Sequence, residues 1–302
     1  MEGHIAVLSN PYAGKGQARV ATATAIAHLR RRGAEVRAYA GDSAAATSDL
    51  AARALAQQPT VLVIVGGDGT LSGILDRVID ARVPIALVPA GTGNDLARAI
   101  GIPRRDAEAA AELALTGATR LIDVGQVRTA GGTTSFLTVA ALGFDAKVSD
   151  RTNRLRWPRG AARYYLALLI ELARLRPMSF MISIDGEAPA SVPGTLVAVG
   201  NTSSYGGGMP VCAGAEPDDG LLDVVQVAPI GRLRLVRLFP LLLQGRHLGR
   251  TEVRHRRADS VTVSAPDLVV YADGERVAVV ECTIGIRRAA VTMMVPAGRL
   301  DA

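Results

Sequence analysis

Three short segments of the chain combine glycine with acidic, amide or basic side chains in a pattern that suits phosphate binding. They read Asn-Pro-Tyr-Ala-Gly-Lys-Gly at residues 10–16, Gly-Gly-Asp-Gly-Thr at 66–70 and Pro-Ala-Gly-Thr-Gly-Asn-Asp at 89–95. Each follows a run of apolar residues and precedes a segment compatible with a helix. Glycine lets backbone N–H groups approach an anion without a Cβ atom in the way, and a helix N-terminus adds its dipole. A single segment of this kind is a weak signal, but three of them together indicate a phosphate site.

Two of these segments also carry a carboxylate, which adds a second chemical requirement. Asp68 lies among the glycines of the second segment, and Asp95 ends the third. A carboxylate repels a bare phosphate, so we expect a cation or a proton donor nearby. We expect Thr70 to cap the helix that follows it, and Thr92 to cap the next one with Asp95 at its third helical position. Asp95 could serve only that structural role, or it could hold an attacking hydroxyl group or a magnesium ion. The combination suits phosphoryl transfer, in which catalysis is mostly positioning and electrostatic stabilisation.

The first segment is not a Walker A loop, because the Gly-x4-Gly-Lys-Ser/Thr spacing is missing. Asn10, Gly14 and Lys15 nevertheless lie where a strand is expected to meet a helix N-terminus. Backbone amides and an ammonium group at that place suit a nucleotide phosphate. The alternative is a turn that only needs glycine, and the segment alone does not decide between the two.

The elements that must position these segments alternate between strand and helix over the first 120 residues. We predict strands at 5–9, 35–39, 61–65 and 84–88, and helices at 17–32, 44–57, 71–81, 95–100 and 104–116. This order indicates a parallel sheet with helices on both faces, a three-layer α/β domain. Ligands of such sheets bind beyond the carboxyl ends of the strands. All three glycine segments are therefore expected at one edge.

The pattern changes at about residue 121. From there we predict short strands at 122–128, 133–140, 178–184, 194–199, 221–227, 261–264, 268–271 and 290–295, with helices at 161–176 and 233–244. Short strands with frequent turn signals indicate an antiparallel, mostly β second domain. We therefore expect a first domain at 1–121, with about 289–302 packing back on it, and a second domain at 122–288.

Composition and charge exclude some classes of function. Only 4% of the 302 residues are aromatic, which argues against a stacking platform for single-stranded nucleic acid. The net charge of +6 is compatible with nucleotides, anionic lipid surfaces or nucleic acid and does not choose among them. Two cysteines, Cys212 and Cys282, are too few for a disulfide scaffold or a zinc site. Without a signal-peptide pattern or an 18-residue apolar run, we expect a cytoplasmic protein whose membrane contact is peripheral.

Taken together, the motifs resemble the diacylglycerol kinase catalytic-domain family, the soluble bacterial lipid kinases. The likeness continues through Ile-Asp-Val-Gly at 122–125, Asn-Thr-Ser-Ser-Tyr-Gly-Gly-Gly at 201–208, Asp-Asp-Gly-Leu-Leu-Asp at 218–223 and Asp-Gly-Glu at 273–275. The stretch 150–165 is most similar to actinobacterial diacylglycerol kinases. The resemblance covers nearly the whole chain and implies a nucleotide-binding α/β domain related to NAD kinases and phosphofructokinases, followed by a β-sandwich domain for the lipid substrate.

The resemblance also implies roles for individual residues in the transfer of the ATP γ-phosphate to a lipid hydroxyl with Mg2+. Asp68 and Asp95 would lie at the reaction centre, and Glu275 matches the general base of the family. Without the resemblance, Glu275 would be only the residue after an Asp-Gly hairpin turn. The residues implied in ATP binding are Asn10, Pro11, Tyr12, Ala13, Gly14, Gly66, Gly67, Asp68, Gly69, Thr70 and Thr92.

The family's second magnesium site resembles the segment that starts at Asp218. Asp219 is the carboxylate expected there, with the carbonyl groups of Glu216 and Leu221 beside it. An Asp-Gly pair is also an ordinary turn. The chain departs from the family at 40–42, where Ala-Gly-Asp stands in place of the usual hydroxyl residue, so a nucleotide contact there must come from the backbone or be absent.

A lipid kinase must reach a membrane surface, and Trp157 is the candidate anchor. It is flanked by Arg154, Arg156 and Arg159. An aromatic side chain among basic residues is typical of interfacial contacts. The basic segment 246–257 adds charges that suit anionic headgroups.

The helix at 161–176 carries an apolar stripe that we expect to face the protein core. Its members are Ala161, Tyr165, Leu168, Leu172 and Leu175. Their 4-3-4-3 spacing places them on one face of a helix.

The resulting hypothesis is an ATP-dependent diacylglycerol kinase that makes phosphatidic acid for phospholipid biosynthesis at the inner face of the membrane. Alternatives are a kinase of sphingosine, ceramide or undecaprenol, and an NAD kinase, which shares Gly-Gly-Asp-Gly. The third glycine segment and Asp-Gly-Glu favour the lipid branch. A nucleotide-sensing peripheral membrane protein without turnover is the non-enzyme alternative. We expect ATP and a lipid as partners and no nucleic acid, and the sequence leaves open whether the chain forms a homodimer.

Overall fold

The computed structural model describes residues 3–10, 13–155, 157–158, 161–278 and 281–298. These residues form two compact units. The first unit combines Met1–Val124 with Arg288–Ala302, and the second is Gly125–Arg287. Two long strands, at 118–129 and 282–295, each contribute residues to both units.

The first unit alternates strands and helices from its start. Its elements are β1 (Ile5–Ser9), a short 3-10 helix (Ala13–Gly16), α1 (Gln17–Arg31), β2 (Val36–Ala40), α2 (Ala44–Ala56), β3 (Val61–Gly66), α3 (Asp68–Ser72), α4 (Leu75–Ala81), β4 (Ile85–Pro89), α5 (Asp95–Ala99), α6 (Ala107–Thr116) and the first part of β5 (Ala118–Thr129). Polar caps begin two of the helices. Ser43 accepts the N–H of Ala46 at the start of α2, and Asp106 accepts two N–H groups at the start of α6.

The sheet of the first unit is parallel, as the alternating pattern predicts. The strand order is β2-β1-β3-β4, and Ile85 of β4 then pairs in parallel with Met293 near the chain's end. All five residues of β1 and all six of β3 are buried. Continuous apolar runs are typical of strands that are covered on both faces.

One helix of the first unit differs from its prediction. We expected a continuous helix over 71–81, but α3 ends at Ser72 and α4 begins at Leu75. Gly73 and Ile74 separate them, and Ile74 has a non-helical backbone with φ −125° and ψ 7°. Glycine disfavours a helix interior, which is consistent with a break at this place.

The second unit is rich in strands. Its elements are the remainder of β5, β6 (Gly132–Phe136), β7 (Val139–Gly143), α7 (Phe144–Arg154), α8 (Ala161–Ala173), β8 (Met178–Ile184), β9 (Ala190–Gly194), β10 (Leu196–Gly200), β11 (Leu222–Val227), α9 (Arg232–Leu243), β12 (Val253–Ala258), β13 (Ser260–Ser264), β14 (Val270–Ala272), β15 (Glu275–Ala278) and the first part of β16 (Cys282–Val295).

Two sheets pack face to face in the second unit. One is antiparallel with the order β12-β11-β10-β7-β14-β15, and the other includes β13, β8 and β9 in antiparallel pairs. A single buried cluster joins residues of both sheets, for example Phe180 and Val261 from one and Leu142 and Val199 from the other. The predicted β-sandwich is therefore confirmed.

Several predictions for the second unit were wrong in detail. The strand expected at 133–140 is divided into β6 and β7, with Leu137 and Thr138 between them. Helix α7 was not predicted, and most of the basic segment 246–257 that we assigned to the membrane lies in or next to strand β12. Arg256 and Arg257 of that strand are already paired with Glu187 and Asp219.

The apolar stripe predicted on α8 is partly wrong. Leu168, Leu172 and Leu175 pack on a buried cluster formed with α7, as expected, but they do so beside Tyr164. Tyr165 is 58% exposed, because the buried face is rotated away from it. Within the described parts of the chain, no helix has the length and apolar character needed to cross a membrane.

Candidate active site

Strand pairing brings the three glycine segments to one edge of the first unit's sheet. Ser9 at the end of β1 pairs with Val65 of β3, and Gly66 at the end of β3 pairs with Pro89 of β4. The segments that follow these strands therefore start from the same edge. The expected convergence is confirmed by this register.

Two close backbone contacts join the segments. A Cβ atom on Gly91 would lie 2.5 Å from the Cα atom of Gly67, and one on Gly67 would lie 2.9 Å from the Cα atom of Gly91. Gly14 has a φ of +59°, and a Cβ atom there would overlap the carbonyl oxygen of Ala90. Glycine is needed at these positions because one turn lies directly against the next.

Asp68 connects the second segment to the third through its side chain. One carboxylate oxygen accepts the N–H of Asp95 at 3.0 Å, and the other accepts the N–H of Leu96 at 3.3 Å. These N–H groups belong to the first turn of α5, so Asp68 caps that helix from a distant position in the sequence. The proton donors that we expected near this carboxylate are therefore backbone amides.

Both helix caps predicted from threonine are wrong. Thr70 lies inside α3, whose N-cap is Gly67, and Thr70 donates its own N–H to the Gly67 carbonyl at 3.0 Å. The N-cap of α5 is Asn94 in place of Thr92, and Asp95 is therefore its first residue. Asn94 has a left-handed backbone, and its side chain bonds the N–H and carbonyl groups of Gly91 at 3.1 and 2.9 Å.

Asp95 is buried and forms an ion pair with Arg98 one turn later in α5. Arg98 also donates to the carbonyl oxygen of Gly93 at 3.2 Å. The guanidinium group therefore offsets the buried charge of Asp95 and supports the glycine segment before it. This arrangement favours the structural reading of Asp95, and its place beside Asp68 keeps it next to the candidate phosphate site.

Some predicted site residues cannot be described in the same way. Pro11 and Tyr12, assigned to ATP, lie outside the described residues, as do Arg156 and Arg159 beside Trp157. Asn10 directly follows β1, and Thr92 is exposed in the segment between β4 and α5.

Glu275, the candidate general base, belongs to the second unit. It is the first residue of β15 and is exposed. The turn before it consists of Asp273 and Gly274, whose φ values of 49° and 82° are both left-handed. Two left-handed residues define the type I′ hairpin turn for which Asp-Gly is favoured.

The predicted magnesium residues also lie in the second unit. One carboxylate oxygen of Asp219 accepts the N–H of Leu221 at 2.9 Å, and the other forms an ion pair with Arg257 of β12. Glu216 is exposed. As arranged, this set does not fit a magnesium ion, because the cation would have to displace the guanidinium group. No cluster of three or more acidic, histidine or cysteine side chains suited to a metal occurs in the described parts of the chain.

A partly buried polar pair in the second unit was missed by sequence reasoning. The hydroxyl group of Tyr205 donates to the carboxylate of Asp145, the second residue of α7. Burial raises the pKa of Asp145 to about 6. Burial, followed by the charge of Asp145, also raises the pKa of Tyr164. The motif at 201–208 contains Tyr205, but its partner could not be found because α7 was not predicted.

Comparisons with known proteins agree with this architecture. Residues 4–127 match the diacylglycerol kinase catalytic domain, and residues 138–295 match the YegS C-terminal NAD kinase beta sandwich-like domain. A diacylglycerol kinase of Mycobacterium tuberculosis is 42% identical over 274 residues, which cover 90% of this chain and 89% of that protein.

Two solved structures show the same fold. The crystal structure of a diacylglycerol kinase from Bacillus anthracis has a TM-score of 0.73 at 20% identity, over 98% of this chain and 97% of that one. An NAD kinase from Archaeoglobus fulgidus in complex with ATP has a TM-score of 0.55 at 16% identity, over 98% and 95% of the two chains. The α/β unit with its glycine-rich edge and the β-sandwich unit thus have an NAD kinase-like fold. The chain belongs to the diacylglycerol kinase family, and this membership supports a lipid kinase.

Proposed function

We propose that this protein is an ATP-dependent diacylglycerol kinase, which transfers the γ-phosphate of ATP to the free hydroxyl group of diacylglycerol and releases phosphatidic acid. The choice of diacylglycerol as the substrate rests on one observation. A relative named a diacylglycerol kinase is 42% identical over nine-tenths of the chain.

ATP is proposed to bind at the glycine-rich edge of the first unit. The residues that would hold it are Asn10, Pro11, Tyr12, Ala13, Gly14, Gly66, Gly67, Asp68, Gly69, Thr70 and Thr92. Helix α1 supports this proposal, because its N-cap is Gly16, which offers no side-chain cap, and its first turn has no acidic residue. Its N–H groups and positive dipole end are therefore available to an anion. A Cβ atom at Gly69 would meet nothing within 4 Å, so the backbone there is open to a ligand.

The acidic residues are proposed to have different roles in the reaction. Glu275 accepts the proton of the lipid hydroxyl as it attacks, a role worth about 10²–10⁴ in rate. Its exposed position at the start of β15 leaves it accessible to a substrate. Asp68 fixes the start of α5 beside the glycine segments, and Asp95 keeps Arg98 in place. Magnesium bound to ATP would supply positive charge to the transferred phosphate.

We propose that a second magnesium ion binds at Asp219, Glu216 and Leu221 only when it displaces Arg257 from the carboxylate of Asp219. The ion pair of Asp219 with Arg257 has to open before the carboxylate can bind a metal. No step of the transfer is assigned to this ion.

Membrane contact is proposed to occur at the cytoplasmic face through Trp157 and the outer face of α8. Trp157 is 77% exposed, and Tyr165 and Leu169 on α8 are 58% and 62% exposed. Exposed apolar side chains beside basic residues such as Arg154 suit an anionic bilayer surface.

The alternatives predict different acceptors. Sphingosine, ceramide or undecaprenol would replace diacylglycerol in the same site, whereas NAD would require a dinucleotide acceptor site. The ATP-bound NAD kinase shares only the fold at 16% identity. A nucleotide-sensing protein would bind ATP without turnover.

The test is transfer from labelled ATP to diacylglycerol, sphingosine, ceramide, undecaprenol and NAD, with each lipid presented in anionic vesicles. We expect diacylglycerol to be preferred, and preference for another acceptor would contradict the substrate. Glu275→Gln should reduce transfer by about 10²–10⁴-fold while ATP binding is retained. The matched control is Glu281→Gln, a change at an exposed glutamate directly before β16, and this variant should keep full activity.

A further inference from the structure

The carboxylate of Asp273 binds the junction between β6 and β7 through three hydrogen bonds. It accepts the backbone N–H groups of Leu137 and Thr138, both at 2.8 Å, and the hydroxyl group of Thr138 at 2.5 Å. Leu137 and Thr138 are buried and lie outside the strands on either side of them. Asp273 therefore provides the acceptors that these N–H groups do not receive from a neighbouring strand.

The same junction is held from its other side by the segment after β10. The side-chain amide of Asn201 donates to the Leu137 carbonyl at 2.9 Å, and the backbone N–H of Asn201 donates to the Thr138 carbonyl at 2.8 Å. The N–H of Thr202 adds a bond to Thr138 at 3.1 Å. Because Asn201 and Thr202 are fully buried, Asp273 is attached to a buried part of the sandwich.

The strand that carries Glu275 depends on this attachment. Among the described residues, β15 is the last strand of its sheet and pairs only with β14, and the ladder between them shifts register between Val270 and Tyr271. Glu275 pairs with Ala272 directly across the two-residue turn that Asp273 begins. Asp273, at the turn of this edge hairpin, connects it to the junction between β6 and β7 through the three hydrogen bonds.

We propose that Asp273 is a positioning residue for Glu275, an inference that rests on the proposed role of Glu275 as general base. Asp273 does not touch the substrate in this role. It holds the hairpin so that the carboxylate of Glu275 stays where it can accept a proton, because a misplacement of about 1 Å can cost about 100-fold in rate.

Asp273→Asn is the direct test, because asparagine tolerates the left-handed backbone and keeps the shape but turns one acceptor into an NH2 group. That NH2 group would face a donor of Leu137 or Thr138, so the hydrogen bonds between the turn and the junction weaken. We expect kcat to fall about 10- to 100-fold, with the KM for ATP within twofold of wild type. The matched control is Asp267→Asn, the same change at an exposed left-handed residue just before Leu268, which should leave kcat unchanged.

The decisive measurement combines Asp273→Asn with Glu275→Gln and compares residual rates at high enzyme concentration with labelled ATP. If Asp273 acts through Glu275, Asp273→Asn lowers the rate of the wild type but not that of Glu275→Gln. An equal loss in both backgrounds, or none in the wild type, overturns the positioning role while the base assignment stands. Full activity of Glu275→Gln alone overturns the base and the positioning role together.

Thr138→Val provides the second variant if Asp273→Asn fails to fold. It keeps the β-branched shape and removes only the hydroxyl bond to Asp273. We expect a loss of about 3- to 10-fold in kcat, again absent in the Glu275→Gln background. Unchanged kcat in Thr138→Val, together with an unfolded Asp273→Asn, would show that Asp273 serves stability alone.

Discussion

The carboxylate of Asp68 accepts the backbone N–H of Asp95 at 3.0 Å, although 27 residues separate the two in the chain. With the second bond from Leu96, the first turn of α5 places its positive end against Asp68. A carboxylate in the proposed glycine-rich phosphate site is therefore stabilised by the protein itself. The same two bonds make Asp68 part of the structure as well as of the proposed reaction centre.

Asp68→Ala should destabilise the protein by about 0.5–2 kcal/mol, because it removes the cap of α5. It should also reduce transfer strongly, since the third glycine segment loses its attachment to the second. Urea unfolding and labelled-ATP transfer, measured on the same preparation, report the two effects separately.

Asp106→Ala is the matched control for this change. Asp106 accepts two N–H groups at the start of α6, at 3.0 and 2.9 Å, and is not one of the predicted site residues. A similar loss of stability with full activity is expected. If Asp68→Ala lost no more activity than this control, Asp68 would be a helix cap and nothing else.

Local patterns predicted the first unit well because each signal lies within a few residues. The apolar run of β3 and the glycines after it describe a buried strand and its turn without knowledge of the rest of the chain. The cap of α5 could not be predicted in this way, because Asp68 and Asp95 meet only when β3 and β4 are paired. The predicted threonine caps followed sequence proximity and were wrong for that reason.

The second unit was harder to predict because its signals depend on tertiary contacts. Helix α7 has few apolar residues, and its buried face is recognisable only from its packing on α8. The division between β6 and β7 depends on Asp273, which lies 135 residues after Thr138. Tyr165 was assigned to the buried face because the stripe spacing alone does not fix the rotation of a helix.

Gly91→Ala should impair both stability and ATP binding. The added Cβ atom would lie 2.5 Å from the Cα atom of Gly67, so the two segments must move apart. We expect a loss of roughly 1–3 kcal/mol in unfolding free energy, as for other overpacked positions, together with weaker ATP binding by calorimetry.

Gly69→Ala separates these two effects. Its Cβ atom would meet nothing within 4 Å, and alanine favours the helical backbone of α3. Stability should therefore be unchanged or slightly higher, while ATP affinity falls because the methyl group occupies the space proposed for the phosphates. Unchanged ATP affinity in both glycine variants would place the nucleotide elsewhere.

Asp145 should make the stability of the protein depend on pH. Burial raises the pKa of Asp145 from its ordinary value of about 3.9 to about 6 in the folded state. The folded protein therefore holds this proton more tightly than the unfolded chain. The resulting stabilisation is fully present below about pH 4 and is lost as the pH rises through 6, by up to about 3 kcal/mol.

Asp145→Asn should remove this dependence, because asparagine stays neutral and its carbonyl oxygen can still accept from Tyr205. Urea unfolding of wild type and variant at pH 4.5 and 7.5 measures the effect, and the variant should gain stability relative to wild type at the higher pH. Asp49→Asn, at an exposed position of α2, is the control and should follow the wild type at both values. Parallel behaviour of Asp145→Asn and wild type would contradict an elevated pKa.

Magnesium binding by the second unit should depend on Arg257. While the guanidinium group occupies the carboxylate of Asp219, Mg2+ added without ATP should change the melting temperature of the wild type little. Arg257→Gln releases that carboxylate, so Mg2+ at about ten times its Kd should stabilise the variant by about 1.4 kcal/mol. Arg256→Gln, which breaks the pair with Glu187 on the same strand, is the matched control and should show no such gain. If Mg2+ stabilised the wild type as strongly, and Asp219→Asn abolished the effect, the ion would displace Arg257 unaided and the magnesium site of the family would be present in this chain.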